Sequence, residues 1–328
     1  MQQIKRDFSL DTVSGIMIIY MILLHCFQFA RNADNLIFEK LSSFFICFMA
    51  WFFFKSGMFH HKESTFRTIF MHTINKFKRP FFTFMSIGYI VYALDLFLKN
   101  DTNWIHYILS PLKQCILGGG VHEGALHMWF LITLLLVKSF SPIFIDKFKQ
   151  GWIVCGFIGY IFSLMDKNGH ILIPYYICNF FPGMFFYGLG YNMKIYQYKS
   201  CVFVIMIVIF IISLIFPAMV DFRRNLTVDG SYLSWLFYAS ANIMIFNYAL
   251  KKIHINKIWP FTFIGMHSMY WFLFHWSLLI LISKVVIELI PNIEKNLMSI
   301  LLFIVLMVIL SLLYPVISKT KLREYCGI

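Results

Sequence analysis

Ten stretches of roughly 20 mainly apolar residues follow one another along the 328-residue chain, each separated from the next by a short polar cluster. A helix rising ~1.5 Å per residue needs about 20 such residues to cross the ~30 Å hydrocarbon core of a bilayer. In that solvent every backbone N–H and C=O must be paired within the segment, which selects helices for spans of this length. The stretches fall at 8–30, 37–59, 80–98, 126–146, 151–167, 171–193, 201–220, 231–250, 260–286 and 297–317. The chain is 60% hydrophobic and only 13% charged, against the ~45–50% apolar share of soluble domains. These features predict an all-α, polytopic integral membrane protein of about ten transmembrane helices. No repeat or linker divides residues 1–328, so one membrane-embedded domain is expected.

Orientation follows from the basic residues. With the N-terminus in the cytoplasm, 17 Lys and Arg fall in the inner connections and 8 in the outer ones, so the positive-inside bias puts both termini in the cytoplasm. The net charge of +13 is then that of a membrane-anchored chain, with lipid as a partner and no nucleic acid implied. Seven cysteines, odd in number and never spaced CxxC, indicate neither a disulfide framework nor a zinc site. The first segment follows Lys5 and Arg6 as a signal peptide would, yet it is about 20 residues long without a small-x-small cleavage site, and reads as an uncleaved anchor. Between His60 and Arg79, apolar residues at 66, 69, 70, 74 and 77 alternate with basic ones. That spacing predicts either an amphipathic helix on the inner leaflet or an ordinary anchoring loop.

Ionisable groups inside such segments are costly, and each is a functional candidate. His25 lies roughly 25 Å from the inner end of the first segment and His275 about 22 Å from the inner end of the ninth. His127, with Glu123 just before it, opens the fourth segment at its outer edge. Three histidines on three helices therefore share a depth in the outer half. Zinc is not expected, because no HExxH or Cys/His spacing accompanies them. Asp11, ~21 Å from His25 along the helix, shares its face from the other end, where a carboxylate near a helix N-terminus is favourable.

Four landmarks in order resemble the membrane-bound acyltransferase-3 family, which includes O-acetyltransferases of bacterial surface polysaccharides. They are LDTVSGIMIIYMILLH (10–25), NKFKRPFF (75–82), HMWFLITLL (127–135) and FIGMHSMYWFLFHWSLL (263–279). The resemblance implies ten helices with the N-terminus inside and a place in the bacterial inner membrane. It also implies transfer of an acyl group, usually acetyl, from cytoplasmic acyl-CoA to a hydroxyl of a cell-surface or lipid-linked glycan. It assigns the first-helix histidine, His25 here, a catalytic part as general base or transient acyl carrier. His275 and His127 are then expected to orient the acceptor or support the oxyanion, with Trp129, Tyr270, Ser268 and Glu123 as further acceptor-side residues. Many members carry Arg or Lys eleven residues before that histidine; this chain has Ser14. A cation for the acyl-CoA phosphates must then come from elsewhere. Lys55, ~6 Å from the inner end of the second segment, matches the ~9 Å depth of Ser14, and Lys76, Lys78 and Arg79 are alternatives at the inner surface. A transporter or flippase for a glycan-related solute is the competing reading, and a non-catalytic membrane protein a third.

Overall fold

The computed structural model describes residues 8–32, 35–62, 65–98, 103–117, 120–167, 174–195, 200–253 and 257–328. Its helices are α1 (Phe8–Phe29), α2 (Leu36–Phe44), α3 (Phe48–Met58), α4 (Phe66–Leu98), α5 (Trp104–Leu117), α6 (Trp129–Ser141) and α7 (Gly151–Lys167). After them come α8 (Tyr175–Cys178), α9 (Phe180–Ile195), α10 (Ser200–Ile215), α11 (Tyr232–Ile253), α12 (Phe261–Met266), α13 (Ser268–Leu289) and α14 (Lys295–Ser318). Six spans are long and apolar enough to cross a membrane: Phe8–Phe29, Leu36–Met58, Phe66–Phe97, Glu123–Lys147, Ser268–Leu289 and Lys295–Ser318. Gly151–Met165 and Cys201–Ile215 are shorter apolar helices. The chain is a multi-pass, predominantly helical membrane protein.

Several expected segments are interrupted. The second is broken at Phe45–Cys47 between α2 and α3, and the ninth at His267 between α12 and α13. The fourth opens with a 3-10 turn, Glu123–Met128, and closes with a π-helical turn, Pro142–Lys147. The third begins 14 residues earlier than expected: the basic, amphipathic stretch from Phe66 runs through Pro80 into the spanning part as one 33-residue helix. At ~1.5 Å per residue it is about 50 Å long, so it outreaches the hydrocarbon core. The connection between the third and fourth segments holds the unforeseen α5. The structure is about 82% helical, in keeping with the all-α expectation, and the last residues of the seventh segment add a small hairpin. Met219–Asp221 (β1) pairs antiparallel with Leu226–Asp229 (β2), matching Val220 to Thr227 and Asp221 to Leu226.

Helix α1 forms the axis. Of its most apolar window 78% is buried, against 22% for α14, and it packs on α3, α11, α12, α13 and α14. A helix apolar on all sides with small polar residues at one end fits such a position. Its closest neighbour is α12, because Gly15 faces the carbonyl of Phe261 and Gly265 faces the carbonyl of Asp11. A β-carbon at either glycine would fall inside the opposing carbonyl, so the two backbones touch as small-residue crossings in membranes do. Thr12 and Thr262 add a hydroxyl–hydroxyl bond of 2.8 Å beside the contact. The same device joins α3 to α9, through Gly57 against Tyr187 and Gly190 against Phe54, and α4 to the 3-10 turn through Gly88 and Gly124.

Beyond the end of α3, His60 ties three elements together. Its Nε2 donates to the Asp146 carboxylate at 3.2 Å, and its Nδ1 accepts from Tyr187 at 3.0 Å. Burial pushes the imidazole below its usual range against the opposing pull of Asp146, and the neutral Nε2–H form satisfies both partners.

The α1–α12 contact generates a prediction. Gly265→Val is expected to cost more than the ~1–3 kcal/mol of ordinary overpacking, because the clash is with backbone that no rotamer change relieves. A loss of the monodisperse species on size-exclusion chromatography in detergent would show it; a variant with wild-type thermal stability would refute the contact.

Candidate active site

The three histidines meet. The rings of His25 (α1) and His275 (α13) stack with centroids 5.3 Å apart, and His127, on the 3-10 turn, lies edge-on to His275 at 5.3 Å. Trp276 closes the group, edge-on to His25 at 5.0 Å. Its indole N–H donates to the Glu123 carbonyl at 3.0 Å, fixing α13 to the turn that carries His127. That turn is kinked at Ala125, whose φ of −135° and ψ of 34° are not helical; the kink lets His127 project where a straight helix would not place it.

His25 and Gln28 are one helical turn apart, and Nδ1 of His25 lies 2.8 Å from Oε1 of Gln28. Gln28 accepting there leaves the proton on Nδ1 and the lone pair on Nε2. His275 donates from Nδ1 to the Phe272 carbonyl at 2.7 Å. Its Nε2, and both ring nitrogens of His127, are buried without a hydrogen-bond partner among the described residues. Three orphaned nitrogens in one place are unusual in a protein interior, where nearly every buried polar atom is paired. No group of three or more His, Cys, Asp or Glu among the described residues is arranged to hold a metal ion.

His25 and His127 line a cavity of about 490 Å³ walled by Met21, Met49, Trp129, Phe272 and the hairpin. A second, more open cavity of about 700 Å³ shares Gln28, Leu126, Arg223 and Trp276 with the first and includes Glu123. The hairpin connection Phe222–Asn225 is what brings Arg223 there. Phe222 stacks parallel to Phe53 at 5.4 Å and also contacts Trp129, Phe186 and Trp235. Asn225 takes a left-handed φ of 57°, a conformation Asn tolerates. It donates to the Gly159 carbonyl at 2.8 Å and accepts from Tyr232 at 2.9 Å. Asn179 holds the Arg223 carbonyl at 3.0 Å while accepting from Thr133. Phe222 and these bonds fix Arg223 between the two cavities.

At the opposite end of α1, Lys55 reaches the Ser14 position. Its Nζ donates to the Ser14 hydroxyl at 2.9 Å and to Asp11 at 3.0 Å, while Trp51 donates to Ser14 at 3.1 Å. The cation expected beside Ser14 is therefore present, supplied across α3 and neutralised by Asp11. The remaining basic candidates are exposed on α4: Lys78 bonds Asn75, and Arg79 pairs with Glu324 and lies over Tyr325; Lys76 is exposed nearby. Tyr270 and Ser268 are not brought to either cavity. The Tyr270 hydroxyl is used by the Leu310 carbonyl at 2.8 Å, and Ser268 opens α13 two turns before His275. Gln28, Trp276, Phe222 and Arg223 escaped the sequence reading. Trp276 directly follows His275, and the Arg223–Arg224 pair stood against the positive-inside trend, which were the two available signals.

Apolar helices enclosing a polar, histidine-lined chamber define a multi-pass membrane protein with a buried reaction or binding site. Within that class, residues 7–314 match the family described as the acyltransferase domain, and the chain belongs to the acyltransferase-3 family. It is a membrane acyltransferase, which favours turnover over transport. No curated protein and no solved structure matches the chain.

Removing Lys55 takes an ion-pair partner from the carboxylate of Asp11, which is 6% exposed. Breaking a buried pair from one side costs about 3–5 kcal/mol, whereas removing both members costs far less. Lys55→Met is thus expected to be markedly less stable than Asp11→Asn/Lys55→Met when thermal unfolding is followed in detergent. Equal loss in the single and double variants would show the pair to be energetically irrelevant.

Proposed function

We propose that this acyltransferase moves an acyl group, acetyl in the first instance, from cytoplasmic acyl-CoA to a hydroxyl of a cell-surface or lipid-linked glycan in the bacterial inner membrane. The observation that supports it best is the pair of unpartnered ring nitrogens of His127, which lines the cavity together with His25, since these are groups that substrate atoms can satisfy. In this reading the chain is one domain of ten crossings with both termini cytoplasmic. The described apolar helices α9 and α11 join the six long spans and the two shorter helices to give that number.

His25 acts as general base. Nε2 takes the proton of the acceptor hydroxyl as its oxygen attacks the thioester carbonyl, and the tetrahedral intermediate collapses to the ester with departure of the CoA thiolate. The proton on Nε2 then passes to that thiolate. Gln28 holds the ring through Nδ1 and stabilises its charged form, as an orienting partner does in other base–orienter pairs. His127 supplies an N–H donor towards the developing oxyanion, where a dry, preorganised site makes the donor worth more than in water, while His275, whose Nδ1–H is committed to the Phe272 carbonyl, offers Nε2 as an acceptor that helps orient the sugar hydroxyl. Trp129 and Glu123 border the acceptor space.

The donor enters from the other end. Eleven residues separate Ser14 from His25, ~16 Å along α1, so phosphates near Lys55 and a thioester near His25 are spanned by one extended acyl-CoA. Lys76, Lys78 and Arg79 add cationic surface on the same side. Met17 and Met21, 0% and 2% exposed, lie on α1 between the two points, and flexible thioether side chains repack at low cost to admit the arm.

His25→Ala is expected to lower transfer at least a hundredfold, the scale of a lost general base. The readout is mass analysis of surface glycans from cells carrying the wild-type, deleted or variant chain, where the acetyl increment disappears from the last two. A folded His25→Ala protein that acylates normally would remove His25 from the mechanism. For the donor end, Lys55→Ala should weaken acyl-CoA binding and flatten its salt dependence, measured by equilibrium titration over a salt series. Unchanged affinity at every salt concentration would exclude Lys55 as the phosphate partner.

A further inference from the structure

The open cavity beyond the histidine chamber is lined by four cations, Arg31, Arg223, Arg224 and Lys284, and two carboxylates, Asp95 and Glu123. Lys284 is paired with Asp95, which leaves three guanidinium groups. Arg223 and Arg224 share the single carboxylate of Asp221 at 4.0 and 3.9 Å, the outer limit of an ion pair. They also share the ring of Tyr175 at 5.9 and 5.8 Å. One Asp cannot neutralise two arginines, and at those distances it does not engage their N–H forks bidentately.

Arg31 carries a separate signal. It ends α1 with a left-handed φ of 54°, a position that favours Gly or Asn and is uncommon for a long side chain. Its guanidinium makes no hydrogen bond or ion pair with a described residue, yet it lies on the wall of this cavity. Backbone strain of this kind concentrates where a side chain has a use. Arg223 differs from the other two in bordering both cavities, and Phe222 and Asn179 hold its backbone in place. Its position at the shared wall, beside Gln28 and Trp276, is one step from His25.

We infer that Arg223, supported by Arg224 and Arg31, is a specificity-determining cationic seat, and that the acceptor carries an anionic group close to the hydroxyl being acylated. A sugar carboxylate or a phosphate on the glycan supplies the same planar or tetrahedral oxyanion, which an arginine fork grips through paired N–H bonds. The anion rests at the boundary of the two cavities while the neighbouring hydroxyl extends to His25. This rests on the reading of the histidine chamber as the acceptor site.

The test uses the full chain in lipid nanodiscs with three probes: methyl glucoside, methyl glucuronoside and glucose 6-phosphate. Binding by calorimetry and acyl transfer by mass are measured separately on each. The wild type is expected to bind the two anionic probes at least tenfold more tightly than the neutral one. Arg223→Gln is expected to abolish that preference and Arg223→Lys to keep only part of it; an unchanged size-exclusion profile and thermal unfolding midpoint show that the variants are folded. Tighter binding of the glucuronoside than of the phosphate assigns a carboxylate, and the reverse assigns a phosphate. Equal binding of neutral and anionic probes, absence of binding at millimolar concentration, or a preference that survives Arg223→Gln would overturn the inference. Anion preference without acyl transfer keeps Arg223 as a cationic seat and removes the proposed function, whereas transfer without anion preference removes the seat and keeps the proposed function.

Discussion

Helix α1 is shielded on nearly every side, and the structure is arranged around that burial. A helix so placed presents its polar groups to protein rather than to lipid, so each needs a partner of its own. At one end Asp11 and Ser14 are met by Lys55 and Trp51; at the other, His25 is met by Gln28, His275 and Trp276. The contact that makes this possible is the backbone-to-backbone approach of α1 and α12 at Gly15 and Gly265. It draws α12, and with it α13, against α1, and α13 delivers His275. Van der Waals contact between close backbones is what remains to hold membrane helices when the hydrophobic effect no longer distinguishes helix from lipid.

The two ends of α1 are built on different physics. The Lys55 end is built on an ion pair, 20% and 6% exposed, with Ser14 bonded beside it. The His25 end holds neutral, polarisable rings with nitrogen atoms left open. A cation held in place by Asp11 and Ser14 attracts an incoming anion through charge, with little demand on geometry. Orphaned imidazole nitrogens in a low-dielectric chamber instead favour donors and acceptors of defined geometry. The difference suits binding of phosphates at one end and proton transfer at the other, with α1 as the rigid element that sets their separation.

The small hairpin gives the chamber its far wall. Its strands are short, and most of its hold comes from Phe222 among four aromatic rings and from Asn225, Asn179 and Thr133 linking it to neighbouring helices. Such buried polar networks, when fully satisfied, fix one arrangement rather than many. A loop carried on this anchor positions Arg223 as firmly as a helix would.

Helical, multi-pass architecture was legible in the sequence because apolar length and charge spacing act locally: a segment that must cross hydrocarbon has to pair its own backbone whatever surrounds it. The depths of His25, His127 and His275 followed from the same rise per residue, and Lys55 was placed beside Ser14 by depth alone. Their convergence was not legible, since depth fixes one coordinate and leaves rotation about each helix open. Tertiary packing decided that coordinate through the Gly15–Gly265 contact and the kink at Ala125. It also withdrew Tyr270, whose hydroxyl the Leu310 carbonyl claims. It brought Arg223 to the chamber as well, because a hairpin's docking depends on the aromatic socket of distant helices. The sequence by itself determined how far along its own helix each of these residues lies; the tertiary structure decided which of them face one another, because that choice is made by contacts between segments far apart in the chain.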